Sequence, residues 1–133
     1  MALRHSMTLV LAVVALATAA RVEAGDPDAS GAIAAGRPVS LHGEIVDLEC
    51  FLRDGARGRR HRACALACRD RGASLALVED GSGALYPIAG RTPASDPGEA
   101  VAHLIAERVS IEGRLYERAG ARILVVEEAV PLP

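Results

Sequence analysis

Val39-Ser40-Leu41-His42-Gly43-Glu44-Ile45-Val46-Asp47-Leu48-Glu49-Cys50 is the stretch on which the fold turns. Val39, Leu41 and Ile45 alternate on one phase, and Val46, Leu48 and Cys50 continue on the other. Side chains of a strand alternate between its two faces, so a change of phase marks a bulge or a strong bend. Gly43 stands where the phase changes and permits the bend. A bent first strand, ending at Cys50, can serve both halves of a small closed sheet.

Downstream, Gly58 to Arg71 reads as a short helix stopped by Gly72, a residue that accepts the left-handed conformation past a last turn. Ser74–Glu79 and Ala84–Ala89 read as two strands joined by the hairpin loop Asp80-Gly81-Ser82-Gly83. Arg91 to Gly98 is a loop. A second helix is expected from Asp96, with Pro97 at its first position, an Asp-x-x-Glu capping box closed by Glu99, and Ala100, Val101, Leu104 and Ile105 as its buried stripe. Val109, Ile111 and Leu115 alternate in a fourth strand, a turn follows at Glu117–Gly120, and Ala121 to Val126, apolar but for Arg122, predicts a fifth strand covered on both sides or shared between the halves of the sheet. Strand, helix, strand, strand, helix, strand, strand is the order of a five-stranded OB-type Greek-key barrel. The fold class is therefore mainly β with short helices, and a small α+β sandwich is the alternative.

The chain has 133 residues and a formal net charge of −2, which bounds it to one domain with no bulk attraction to nucleic acid or anionic membrane. Its start reads as an export signal: Arg4 and His5, then an apolar run from Met7 to Ala20. Such a run makes roughly 21 Å of helix, short of a hydrocarbon core of about 30 Å. Val22-Glu23-Ala24 offers a cleavage site, with Ala17-Thr18-Ala19 slightly earlier, so residues 1–24 are expected to be removed. An uncleaved N-terminal anchor is the alternative. Gly25 to Pro38 is polar and small, a linker, and the domain is expected over 39–133. The location that follows is periplasmic or secreted, with no membrane span left after cleavage and a monomer as the working unit.

The chemistry is concentrated in Cys50, His61, Cys64 and Cys68, spaced C-x10-H-x2-C-x3-C, which include every cysteine of the chain. Three thiolates and an imidazole form a tetrahedral ligand set for zinc, and soft sulfur also suits copper(I). On a helix, His61, Cys64 and Cys68 fall within an arc of roughly 60°, and Cys50 closes the site from the end of the first strand. Arg53, Arg57, Arg59, Arg60, Arg62, Arg69 and Arg71 surround the cluster. Positive charge favours thiolate, the metal-binding form. The competing reading is a disulfide: an exported protein meets an oxidising compartment, and a Cys50–Cys64 or Cys50–Cys68 staple leaves one thiol over.

Gly43-Glu44-Ile45-Val46-Asp47-Leu48-Glu49-Cys50-Phe51-Leu52, then Gly58, His61, Cys64-Ala65, Cys68 and Gly72, resembles a family of small exported bacterial proteins. Their pattern runs G-x-V-x-D-x-x-C-Y/F, then G-x-x-H-x-x-C-A-x-x-C-x-x-x-G. The resemblance covers about residues 41–90 and implies an OB-like barrel with a Cys/His metal site at Cys50, His61, Cys64 and Cys68. It implies no reaction. Phe51 stands where tyrosine is common, and Ala73-Ser74 where a proline often follows the glycine.

Other candidates are weaker. His42, on the first strand, and His103, on the outer side of the second helix, read as surface or half-buried residues and not as ligands. Asp47 and Glu49 flank the cluster and either offer acceptors for His61 or are solvated strand positions. No serine–histidine–aspartate set, phosphate loop or HExxH occurs. Single-stranded nucleic acid needs stacking aromatics in a basic groove, and the chain has one Phe, two Tyr and no Trp. The expectation is an exported protein binding one metal ion, zinc in a structural role or copper(I) for binding and delivery, without catalytic residues. A periplasmic thiol–disulfide redox protein and a disulfide-stapled interaction module are the alternatives.

Overall fold

The structure, a computed structural model, describes residues 36–133. The signal peptide expected at 1–24, and the linker up to residue 35, lie outside the described residues. In chain order the elements are β1 (Arg37–Asp47), α1 (Leu48–Asp54), α2 (Arg62–Asp70), β2 (Leu75–Glu79), β3 (Leu85–Ala89), a 3₁₀ turn (Ala102–Leu104), β4 (Arg108–Arg118) and β5 (Ala121–Pro131). The strands close a barrel in the order β1-β2-β3-β5-β4, with β4 returning to β1. β3 and β5 run parallel, and every other pair is antiparallel. This is the OB-like barrel expected from the order of elements.

β1 does serve both halves. Residues Arg37 to Glu44 pair with β4, and Gly43 to Asp47 pair with β2. At the overlap, Gly43 faces both Glu79 and Val109. A side chain there would run into the Val78 carbonyl, so the strand crossing needs glycine. β1 starts at Arg37, two residues into what reads as linker.

Ile45, Leu77, Val109, Ile111 and Leu124 are wholly buried inside the barrel, each worth about 1.5–3 kcal/mol of apolar transfer. Alternation should expose the intervening residues of β1, yet Gly43 to Asp47 are all buried. The reason is a second, outer cluster: Val46, Ala76 and Val78 are covered by Leu48 and Phe51 of α1 and by Leu85.

Three expectations are corrected. First, β1 ends at Asp47, and Leu48 to Asp54 form a helix, not the end of a strand. Asp47 caps it by accepting the Cys50 N–H at 2.7 Å, and left-handed Gly55 (φ 65°) ends it. Second, no α-helix follows Asp96. Asp96 Oδ1 accepts the N–H of Gly98, two residues on, which closes a tight turn in place of a capping box. Successive turns then bring Val101, Leu104 and Ile105 into the barrel core, and Ala106 at φ 65° ends the segment. Third, of the two expectations for β5, sharing between the sheet halves holds, since it pairs with both β3 and β4, and cover on both sides does not: Leu124 and Val126 are buried, while Ile123 is exposed.

Candidate metal centre

The site is built on the connection between β1 and β2. α1 follows directly from β1, so the capped turn at Asp47 sets the position of Cys50, three residues on. α2 is set by tertiary contacts. Ala65 is buried in the barrel core. Arg62 donates to the carbonyls of Ile105 and, at 3.2 Å, of His103. The approach to α2 is strapped down by Glu44, whose buried carboxylate accepts from Arg57 Nε at 3.0 Å and from the Gly58 N–H.

With both helices placed against β1, the sulfurs of Cys50, Cys64 and Cys68 lie within 4.8 Å of one another. All three are free thiols; Cys64 is exposed, Cys50 and Cys68 half-buried. A metal bound tetrahedrally at about 2.3 Å needs sulfurs about 3.8 Å apart, so the group fits one ion after small adjustment. Cys50 and Cys68 line a cleft of about 210 Å³ together with Asp47, Glu49, Asp54 and Arg53, so the group is reachable from solvent.

His61 is not a member of this sulfur group. It stands just before α2 with a right-handed backbone (φ −90°, ψ −9°), and its carbonyl accepts the Ala65 N–H at 2.9 Å, yet its ring is not among the donors that converge. Its Nε2 is buried without a hydrogen-bond partner, and the ring lines a separate narrow cleft beside Glu44, Asp47 and Ile105. Asp47 is 0 % exposed, and its Oδ2 likewise has no partner. Asp47 Oδ2 therefore does not accept from His61 Nε2. Glu49 is exposed and pairs with Arg53 at 3.0 Å. His42 and His103 are exposed.

The electrostatics also differ from expectation. Burial pushes the Cys50 thiol up to about 12, and the neighbouring Asp47 carboxylate adds to the rise. Burial, then Cys64, raises the Cys68 thiol as well. The surrounding arginines do not offset this because most neutralise carboxylates: Arg53 pairs with Glu49, Arg57 with Glu44, Arg59 and Arg62 with Glu107, and Arg69 with Asp96. Without metal Cys50 and Cys68 are protonated thiols at neutral pH, and binding an ion must release their protons.

Sequence reasoning found the three cysteines because they are rare and close in sequence. It undervalued Asp47. The signal was present: an Asp before Leu48-Glu49-Cys50, an acid–base pair Glu49–Arg53 four apart, and Gly55 as a stop. The alternation of Val46, Leu48 and Cys50 masked it. No protein-family model, curated protein or solved structure matches the chain.

Proposed function

We propose that this is an exported protein that holds one soft metal ion, zinc or copper(I), on the thiolates of Cys50, Cys64 and Cys68. The observation that carries the reading is the convergence of three sulfurs from two helices to within 4.8 Å. Thiolate sulfur selects zinc and copper(I) over harder divalent ions. Exposed Cys64 and the adjoining cleft favour an ion that is taken up and released over one sealed in a closed structural site. The likeness of residues 41–90 to small exported proteins with the same cysteine and histidine pattern supports the same reading, as does the basic and apolar start of the chain.

Metal analysis and thiol titration of anaerobically purified protein test it. One equivalent of metal, lost in Cys50→Ser, Cys64→Ser and Cys68→Ser alike, supports it. Protein that takes up neither metal when reduced overturns it. N-terminal sequencing of protein from the periplasmic or culture fraction tests export, with cleavage after Ala24 expected.

A second reading, thiol–disulfide exchange, rests on the adjacency of Cys68 to both other sulfurs. A dithiol whose reduction potential lies too low for exchange with a periplasmic partner overturns that reading.

A further inference from the structure

Among the described residues two acidic side chains are buried, Glu44 at 6 % and Asp47 at 0 % exposed. Buried charges are normally paired or bound to metal, because desolvating an isolated carboxylate is costly. Glu44 obeys this with protein partners alone: Arg57 lies at 2.9 Å from its Oε2, and Gly58 donates to its Oε1. Asp47 has half of such an arrangement. Its Oδ1 accepts the Cys50 N–H, no salt bridge reaches it, and Oδ2 is buried with no hydrogen-bond partner among the described residues. Asp47 borders the cleft onto which Cys50 and Cys68 open. Of the other carboxylates there, Glu49 is committed to Arg53 and Asp54 is exposed. Among the described residues Asp47 is thus the one buried acid without a cation, and it stands beside three sulfurs that can hold one.

We infer that Asp47 Oδ2 is the fourth donor of the site, so that the ion preferred is zinc. The inference rests on the metal-binding reading above and adds the ligand that discriminates between metals. Three thiolates and one carboxylate complete a tetrahedron for zinc, with oxygen at about 2.0–2.2 Å. Copper(I) is served by soft sulfur and gains little from a hard oxygen. Asp47 is outside the tight sulfur group, so the ion must draw its carboxylate inward. Only Oδ1 is held by the backbone, which leaves Oδ2 as the oxygen to turn.

Competition titrations of the reduced whole protein with zinc and with copper(I) test this, on wild type, Asp47→Asn, Glu117→Gln and His61→Gln. Asparagine caps a helix about as well as aspartate, so Asp47→Asn keeps α1, and a thermal melt verifies its folding. The expected result is a loss of at least roughly tenfold to a hundredfold in zinc affinity, the range that even partners behind the ligands give, with copper(I) affinity unchanged and neither metal affected by Glu117→Gln, at an exposed acid that does not line the cleft. Equal losses for both metals in Asp47→Asn assign Asp47 to positioning Cys50 alone and overturn the inference. No change for either metal also overturns it. Equal zinc losses in His61→Gln and Asp47→Asn overturn it too, by assigning the two residues to one carboxylate–imidazole pair outside the ligand set. In each of these cases wild-type metal binding stands. Failure of wild type to bind either metal is the separate failure of the proposed function.

Discussion

The β1–β2 connection, residues 48–74, and the β3–β4 connection, residues 90–107, are the two long excursions of the barrel chain. The first forms two helices, yet it contributes only Ala65 to the buried barrel core and otherwise covers an outer cluster and presents the cysteines. The second forms no α-helix, yet it places Val101, Leu104 and Ile105 in the centre of the core. Regular structure and contribution to the core are therefore separated in this protein. The stability of the barrel resides in one connection and its chemistry in the other. Arg69 of α2 and Asp96 join the two, and a side chain at Gly98 would collide with that guanidinium.

That division is open to direct tests. Ile105→Ala, at a position with 0 % exposure, should cost about 2–5 kcal/mol by denaturant unfolding while leaving metal stoichiometry intact in the folded fraction. Cys64→Ala should do the reverse: metal lost, with the unfolding midpoint of the metal-free protein near that of wild type. If Cys64→Ala unfolds the protein, site and barrel are not separable.

The Glu44 strap gives the next largest effect. Glu44→Ala removes the acceptor for Arg57 and for the half-buried Gly58 N–H, and should cost about 1–3 kcal/mol. Limited proteolysis should then cut between Asp54 and His61 faster than in wild type. An unchanged cleavage rate would show that the strap does not order this segment.

The Arg69–Asp96 joint predicts an acid dependence. The Gly98 N–H and then the Arg69 guanidinium hold the Asp96 carboxyl below its ordinary 3.8. A folded-state value below the unfolded one stabilises the protein above the ordinary value and stops doing so as pH falls through the folded one. Acid titration of stability should therefore be shallower in Asp96→Asn than in wild type below about pH 4. Parallel curves would mean that the joint contributes nothing. The smallest effect is expected at the exposed Arg53–Glu49 pair: Arg53→Ala should change stability by less than about 0.5 kcal/mol, measurable as an unshifted melting curve.

Much of this was legible in the residues. The bend at Gly43 is a local event, visible as a change of alternation, and it correctly announced a strand shared between β2 and β4. The hairpin at Asp80–Gly83 was equally local. The misread regions are those where two local signals compete. Val46, Leu48 and Cys50 alternate as a strand would, while Asp47 and Gly55 bracket a helix; packing of Leu48 and Phe51 over Val46, Ala76 and Val78 favoured the helix. Around Asp96 a capping pattern lost to the turn at Gly98, because the segment must bring Val101 and Ile105 inward within a short span.

The amino-acid sequence by itself determined the strand order and the identity of the sulfur donors. Alternation, glycine placement and the scarcity of cysteine are properties of the chain that need no partner to be read. Only the tertiary structure decided that His61 stands outside the sulfur group and that Asp47, not an exposed acid, is the buried carboxylate beside it. Which side chains meet depends on how α1 and α2 are placed against β1. That placement comes from the Asp47 cap, the Glu44 strap and the anchoring of Arg62 on the β3–β4 connection, contacts between residues far apart in the chain.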